Sequence, residues 1–246
     1  MDIPILYEDD DCLIINKPPG IVVNKAQSVK GETIQDWAKA YLHMGDAPVR
    51  TQIPVAGEID DVQEFYDRNG VVHRLDKETS GILVIAKNPS AYIHLKNSFK
   101  ERLVQKTYCA FVHGDLVPDS GEISAPVGRL PWNPERFGIV PGGKDAVTNY
   151  QKVSVIQHGL HKEPISFIKL FPHTGRTHQI RVHLKYINHP IVGDFVYAGR
   201  KVSREDRLWV PRVMLHALSI SIPHPRNPTP LEIEAPIPDD MSRLLK

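Results

Sequence analysis

The segment VVHRLDKETSGILVIAKN, residues 71–88, places a cluster of charged and polar side chains directly before an apolar run. The apolar part, GILVIA at 81–86, predicts a buried strand. The preceding DKETSG is rich in residues that hydrogen-bond their own backbone, so a lone Asp in this position is by default a turn residue. An Asp close to an Arg, as Asp76 is to Arg74, stays ionised and can act as a nucleophile or base at an electrophilic carbon such as a sugar C1′.

The chain before this segment predicts two strands and one helix. PILYEDDDCLIINKPPG, residues 4–20, indicates two short strands around an acidic turn, ended by a Pro-Pro-Gly bend. Thr33 is a suitable N-cap for an amphipathic helix in TIQDWAKAYLH, with Asp36 close to the first exposed amides. Residues 45–69 are acidic and have no sustained period, which predicts a long loop or insertion.

The chain after this segment predicts mostly strands with short turns between them. Ser90 is the expected N-cap of a helix over 91–103, and a helix of roughly three turns is expected between Thr177 and Asn188. Gly, Pro or Asn turns join several of the runs, so antiparallel pairing should dominate, and the fold class is α+β: a mixed, largely antiparallel sheet with peripheral helices in a single domain, 1–246. The strand-like runs are QKTYCAFVHGDL, EISAPVG, AVTNYQKVSVI, ISFIKLF, VMLHALSISI and LEIEAP.

The composition is that of an ordinary globular protein with an uneven charge distribution. Of the 246 residues, 41% are apolar and 24% charged, and no apolar run is long enough to span a bilayer, so a cytoplasmic protein is expected. Residues 1–70 carry a net charge of −7 and residues 71–246 a net charge of +8. A basic second half suits a surface that meets phosphates, although a solvated charged face would have the same composition.

Several common kinds of site are not indicated. Cys12 and Cys109 each lie in a strand-like run without a CxxC pair, so two buried, inert thiols are expected. His173, His178 and His183 are five residues apart, which turns them to different faces of a helix and argues against a metal site. The sequence has no GxSxG elbow, Walker loop or dinucleotide fingerprint.

Taken together, the motifs resemble those of the RluA-type family of RNA pseudouridine synthases. HRLDKETSGILVIAK is similar to the family's catalytic motif and HTGRTHQIRVHL to its arginine motif, and their order and spacing match over nearly the whole chain. The first catalytic-domain motif begins within about ten residues, so a member without the N-terminal S4 domain is expected. Further matching segments are LIINKPPGIVVN, KTYCAFVHG, GKDAVTNYQKV, HPIVGDFVYAG and MLHALSI.

The resemblance implies isomerisation of uridine to pseudouridine in RNA without any cofactor or metal. The family's catalytic aspartate falls on Asp76, its active-site tyrosine on Tyr108, and the arginine that pairs with the aspartate on Arg181. Arg74 matches a position whose side chain enters the RNA stack when the target base is flipped out. Further candidates for RNA contact are His73, Arg176, His178 and Lys144.

The resemblance leaves the substrate open. Large-subunit ribosomal RNA is the favoured substrate and transfer RNA the alternative; a monomer that does not bind membranes is expected. Two other classes of protein fit part of this pattern. A glycoside hydrolase also attacks an anomeric carbon with an Asp but normally needs a second carboxylate, and a catalytically silent RNA-binding module would not need Asp76 beside Arg74.

Overall fold

The computed structural model describes residues 1–45, 58–157 and 163–245. The chain forms two compact units: unit 1 is Met1–Val104 with Ser219–Ala235, and unit 2 is Gln105–Leu218 with Pro236–Lys246. None of the helices in the described ranges combines the length and the apolar character needed to cross a lipid bilayer. The helices are α1 (Ile34–Tyr41), α2 (Glu58–Asp67), α3 (Pro89–Lys100), α4 (Gln179–Tyr186), α5 (Arg200–Asp206) and α6 (Asp239–Ser242), followed by a 3-10 turn at Arg243–Leu245. The strands are β1 (Ile5–Glu8), β2 (Cys12–Lys17), β3 (Ser80–Ala86), β4 (Gln105–His113), β5 (Ser120–Ser124), β6 (Val127–Leu130), β7 (Asn133–Ile139), β8 (Val147–Ile156), β9 (Ile165–Pro172), β10 (Leu215–Ile222) and β11 (Leu231–Glu234).

Unit 1 is built around the buried strand that the sequence predicts. β1, β2 and β3 pair antiparallel in sequence order, and every residue of β3 is buried. Helix α3 packs Tyr92 and Leu95 onto the same apolar cluster as Ile14 of β2 and Val84 of β3. β11 pairs antiparallel with the end of β10. The strand that follows Asp76 is therefore buried on both faces, and α3 packs against the apolar cluster on one of them.

Helix α1 begins as the sequence predicts. The side chain of Thr33 accepts a hydrogen bond from the Asp36 amide, and the Asp36 carboxylate accepts one from the Thr33 amide. This reciprocal capping box satisfies two amides that a helix start would otherwise leave without partners. Local sequence was sufficient here because both partners lie within one turn.

Helix α2 corrects the prediction of a long loop or insertion over 45–69. Residues 58–67 are helical, whereas 46–57 lie outside the described residues. Phe65 is 3% exposed and contacts the ring of Tyr92 edge-on, and Lys96 of α3 forms ion pairs with Asp61 and Glu64. Val62, Phe65 and Tyr66 do have a helical spacing, but the helix is short, and its stabilising partners are on α3 rather than within the segment itself.

Unit 2 contains a four-stranded antiparallel sheet in the order β4-β9-β8-β5. Its core combines Phe111 and Val112 of β4 with Ile168 and Leu170 of β9, and Leu184 of α4 covers one face. All these strands coincide with predicted apolar runs, and the predicted α+β class with a mixed, largely antiparallel sheet and peripheral helices is confirmed.

The hairpin of β6 and β7 was not predicted in full. β7 contains Pro134, which argues against a strand inside a sheet, but among the described residues β7 pairs only with β6 and so forms an edge, while Val127 of β6 also bridges to Lys144. A two-stranded hairpin is marginally stable by itself. It is stabilised here by a small apolar cluster in which Phe137 and Ile139 pack against Val182 and Tyr197.

Two helix starts differ from the predictions. Asn88, rather than Ser90, caps α3: its side chain accepts a hydrogen bond from the Ala91 amide, and Pro89 occupies the first helical position. Helix α4 starts after His178, whose backbone is left-handed, rather than after Thr177, and it is shorter than three turns. Its predicted end is confirmed in part, because Asn188 has the expected left-handed backbone at φ 62°.

Both cysteines are buried, as the sequence predicts. Cys12 and Cys109 are free and 0% exposed. Burial raises the pKa of each thiol to about 12, which keeps both protonated and unreactive at neutral pH.

Asp9 joins the β1–β2 turn to a distant loop within unit 1. Its carboxylate accepts hydrogen bonds from Tyr7 Oη at 2.7 Å and from the amides of Asp11 and Cys12. His224 Nδ1 accepts two backbone N–H groups, so its Nε2 carries the proton and donates to Asp9 over 2.7 Å. Burial by itself would raise the pKa of Asp9, but these hydrogen bonds outweigh it and lower the pKa from 3.8 to about 2.

We expect Asp9 to make stability dependent on acid pH. Because the folded pKa is depressed, the ionised carboxylate stabilises the native state above pH 3.8, and this contribution is lost as the pH falls toward about 2. Asp9→Asn should lower the free energy of unfolding at neutral pH by about 2 kcal/mol and flatten the acid limb of urea-denaturation midpoints. Asp10→Asn is the matched control, since Asp10 is exposed. Parallel acid limbs for Asp9→Asn and the wild type would contradict the assignment.

Candidate active site

Asp76 lies in a turn directly before the buried strand β3. Its backbone carbonyl accepts a hydrogen bond from the Thr79 amide at 3.1 Å, and β3 starts at Ser80. The neighbouring Leu75 is 5% exposed, whereas the Asp76 side chain is half-buried. The turn therefore holds a partly accessible carboxylate close to the start of a buried strand.

Lys17 also holds this turn in place, although sequence analysis did not identify it as a candidate site residue. It is 0% exposed, and its Nζ donates to the carbonyl oxygens of Pro18, Ile21 and Lys77 at 2.8, 3.1 and 3.2 Å. The Gly20 amide donates to the same Lys77 carbonyl at 2.7 Å. Lys77 follows Asp76 directly, so the buried ammonium ties the Pro-Pro-Gly bend to the turn that carries the carboxylate.

Lys17→Met should disturb the Asp76 turn while keeping the volume of the side chain. We expect a loss of about 1–3 kcal/mol of stability, because buried carbonyl groups lose their donor. For the RNA-modifying activity that the resemblance implies, we expect a fall in turnover larger than the fall in RNA affinity. Urea denaturation and single-turnover kinetics measure the two effects. Lys87→Met removes a partly exposed ion pair with Glu8 and should change either quantity only slightly. Equal effects of the two substitutions would contradict the anchoring role.

Arg74 and His73 differ in their surroundings. Arg74 is exposed, and within the described ranges it has no acidic side chain in ion-pair distance. His73 is half-buried: its Nε2 accepts the Val84 amide of β3 at 3.0 Å, and its ring stacks on Phe99 with centroids 4.6 Å apart. The contacts of His73 therefore hold the segment that contains Asp76 against β3 and α3, whereas the Arg74 side chain is exposed to solvent.

Tyr108 lies near the start of β4 in unit 2. It pairs with Leu170 of β9, and its side chain is half-buried. The residues that follow, from Cys109 to His113, are all buried. The tyrosine is therefore at the accessible end of an otherwise buried strand.

Arg181 is fixed by a carboxylate that sequence analysis did not assign. On α4, its Nε and Nη2 donate to the two oxygens of Asp194 at 2.7 and 2.9 Å, and both side chains are buried. Asp194 also accepts the backbone amides of Val196 and Tyr197. This bidentate fork sets the plane of the guanidinium.

Tyr197 connects two of the predicted residues. The guanidinium of Arg181 lies over its ring, 5.0 Å from the centroid, and its hydroxyl is 2.8 Å from Nδ1 of His178. The His178 ring also contacts Phe137 of the hairpin edge-on. His178 and Arg181 thus belong to one network, which ends at Asp194.

The turn that precedes α4 is held by Gln179, which is 4% exposed. Its Oε1 accepts from the Arg176 amide and the Thr174 hydroxyl, and its Nε2 donates to Thr148 and to the Val147 carbonyl. Arg176 Nε donates to the carbonyl of Asp145, the residue after the exposed Lys144. Arg176 and the Lys144 turn are therefore adjacent.

Within each unit, the structure brings together some of the predicted residues. His73, Arg74 and Asp76 share one segment of unit 1; Arg176 adjoins Lys144, and His178 adjoins Arg181, in unit 2. Sequence analysis missed Lys17, Asp194 and Tyr197 as functional residues. The motif segments LIINKPPG and HPIVGDFVYAG contain them, but the contacts that tie them to the candidate site residues, with the Lys77 carbonyl and with Arg181, lie outside those segments.

One group of potential metal ligands occurs in the part of the chain that the structure describes: Asp9, Cys12 and His224. Both ring nitrogens of His224 are already hydrogen-bonded, and burial keeps the Cys12 thiol protonated with a pKa of about 12. His183 in unit 2 is likewise bonded through both nitrogens, to Thr148 and to the Ala125 carbonyl. These contacts stabilise the fold and do not favour a metal.

Comparison with known proteins agrees with the motifs. A family model described as RNA pseudouridylate synthase matches residues 11–186. Ribosomal large subunit pseudouridine synthase D of Neisseria meningitidis serogroup A is 38% identical over the whole chain, which spans 61% of that relative's length. An uncharacterized RNA pseudouridine synthase of Bacillus subtilis is 37% identical over the whole chain, which spans 73% of that protein.

Solved structures show the same fold. Human RNA Pseudouridylate Synthase Domain Containing 1 superimposes with a TM-score of 0.72 at 28% identity, covering 96% of this chain and 83% of the human one. Human RNA Pseudouridylate Synthase Domain Containing 4, with a TM-score of 0.70 at 23% identity, shares the fold. Because the family model matches most of the chain and the identity to these relatives extends over the whole of it, the chain belongs to the RNA pseudouridylate synthase family.

Proposed function

We propose that this protein isomerises a specific uridine to pseudouridine in structured RNA, with large-subunit ribosomal RNA as its substrate. The observation that carries the proposal is the position of Asp76: a half-buried carboxylate on a turn fixed by Lys17 and β3, in a chain of this family. The relative named ribosomal large subunit pseudouridine synthase D supports the choice of RNA.

Asp76 is proposed as the reacting carboxylate. The N1–C1′ bond of the uridine breaks, the uracil turns, and C5 bonds to C1′. An ionised carboxylate can either add to C1′ or remove the 2′ proton to give a glycal, and both routes need the anion held at one position on a rigid element. The reaction is redox-neutral, so the proposal includes no cofactor.

Tyr108 and Arg181 are proposed to act in the same reaction. An aromatic ring at the accessible end of β4 can stack on uracil, and a phenol can assist the loss of the C5 proton. The permanently charged guanidinium of Arg181 favours an anion near it. Its fork to Asp194 fixes its direction before substrate arrives, which is the pre-organisation that electrostatic catalysis requires.

Arg74 is proposed to fill the gap that the flipped uridine leaves in the RNA stack. Arg74→Ala should therefore reduce turnover on a structured RNA by about tenfold or more, because unstacking costs a few kcal/mol that a wedge partly offsets. On a flexible single strand containing the same uridine, the variant should resemble the wild type. Lys77→Ala, which removes a neighbouring exposed cation, is the control. A deficit of equal size on both RNAs would reject the wedge.

Release of tritium from RNA labelled at uridine C5 tests the proposed activity. Wild-type protein should release tritium without free uracil or strand cleavage, because the base stays attached to its ribose. A glycoside hydrolase would instead liberate a base or sugar, and a silent RNA-binding module would bind without release. Either result would overturn the proposal.

The RNA substrate is identified by comparing cells with and without the protein. Pseudouridine mapping should show one lost position in large-subunit ribosomal RNA. A lost position in transfer RNA only would replace the proposed substrate by the alternative. We further propose that the protein is a monomer and that it binds this RNA in the cytoplasm.

A further inference from the structure

Unit 2 contains a cavity between the β6–β7 hairpin and helix α4, which we call the hairpin cavity. Its volume is about 330 Å³. Phe137 of β7 and Val182 and Tyr186 of α4 form apolar walls, together with Val196 from the loop after Asp194. A cavity of about 150 Å³ holds a benzene-sized ring, so this one has room for a nucleobase with part of its sugar.

The side chains around the hairpin cavity suit a nucleotide. Both charged residues among its lining side chains in the described ranges are cations, Arg136 and Lys185, and both are exposed. Tyr186 remains 57% exposed, although it belongs to a wall of the cavity. Aromatic faces with nearby cations are what proteins use to stack single-stranded bases while holding the adjacent phosphates.

The hairpin cavity is continuous with the Arg181 network. Tyr197 lines the cavity, carries the guanidinium of Arg181 over its ring and is hydrogen-bonded to His178. The hairpin amide of Phe137 lies 3.4 Å from the Tyr197 hydroxyl. A group bound in the cavity would therefore touch the same tyrosine that positions Arg181.

We propose that the hairpin cavity binds one nucleobase of the RNA other than the target uridine, with Arg136 and Lys185 contacting its phosphate. The inference rests on the proposed RNA substrate and extends it to a second recognition point. Because the marginal hairpin forms one wall, an inserted base adds contacts that order β6 and β7. The cavity thereby contributes to the choice of sequence around the target uridine.

Two substitutions test the cavity: one fills it and the other removes part of its wall. Val196→Phe fills the space without removing a charge, and Tyr186→Ala removes an aromatic wall. We expect each to weaken binding of fluorescein-labelled oligouridylate about tenfold, in line with the usual contribution of one stacked base. The matched controls are Val155→Phe, at an exposed position of β8, and Phe195→Ala, an exposed aromatic next to Val196 that does not line the cavity. Both controls should bind like the wild type.

Photo-crosslinking gives the second measurement. Oligouridylate containing 4-thiouridine, bound to Asp76→Ala protein, should crosslink to peptides that contain Phe137 or Tyr186, and Val196→Phe should remove these crosslinks. Crosslinks confined to other peptides, or wild-type affinity in both cavity variants, would overturn the inference. If crosslinks at Phe137 or Tyr186 persist while the wild type releases no tritium, the cavity is confirmed and the isomerase proposal fails. If the wild type releases tritium but both cavity variants bind RNA with unchanged affinity, the isomerase proposal is supported and the cavity proposal fails.

Discussion

Asp76→Ala is expected to abolish tritium release while leaving RNA binding nearly intact. A positioned acid–base or nucleophilic group contributes roughly 10²–10⁴-fold to a rate, so the variant should lose nearly all turnover. Asp76→Asn should behave in the same way, because the amide keeps the shape of the side chain but loses its charge. Stability should change little, since the half-buried side chain is not part of the apolar core.

The measurement separates chemistry from folding. Single-turnover tritium release is compared with RNA affinity and with the urea midpoint of the same preparation. Glu78→Gln is the matched control, a second half-buried carboxylate in the same turn. Release that persists in Asp76→Ala at the rate of the control would remove Asp76 from the mechanism.

Asp194→Ala is expected to have the largest effect on stability and a second, separate effect on turnover. Removing one member of a buried, hydrogen-bonded ion pair typically costs about 3–5 kcal/mol, because the remaining charge stays buried. Asp194 is 0% exposed and also satisfies the amides of Val196 and Tyr197. The loss should release the guanidinium of Arg181 from its fixed plane and lower the turnover of whatever protein remains folded.

A second bidentate arginine–carboxylate ion pair in unit 2 provides the control for Asp194→Ala. Arg212 donates through Nε and Nη2 to the two oxygens of Asp240 at 2.6 and 3.0 Å. Asp240→Ala should lower stability without changing the turnover of folded protein at a temperature below both unfolding transitions. Equal turnover losses in the two variants would show that Asp194 acts only through stability. Asp194→Asn, which keeps one acceptor oxygen, should recover part of the turnover.

Whether a structural element was predicted correctly depended on how far apart along the chain its interacting residues lie. The capping box of Thr33 and Asp36 and the left-handed Asn188 were predicted because the partners lie within a helical turn. Strand β3 was predicted because burial on both faces leaves an uninterrupted apolar run. Helix α2 was missed because its stabilising contacts are on α3, and β7 because its Pro134 is tolerated only on an edge strand.

The sequence by itself determined the fold class and the family, and it predicted the candidate reactive segment, since Arg74, Asp76 and the strand behind them are adjacent along the chain. Only the tertiary structure revealed what holds the candidate site. Lys17 reaches a carbonyl oxygen sixty positions away, and Arg181 finds its carboxylate thirteen positions away outside its own helix. Hydrogen bonds between distant segments depend on how the elements pack, so they leave no periodic or local pattern from which they can be predicted.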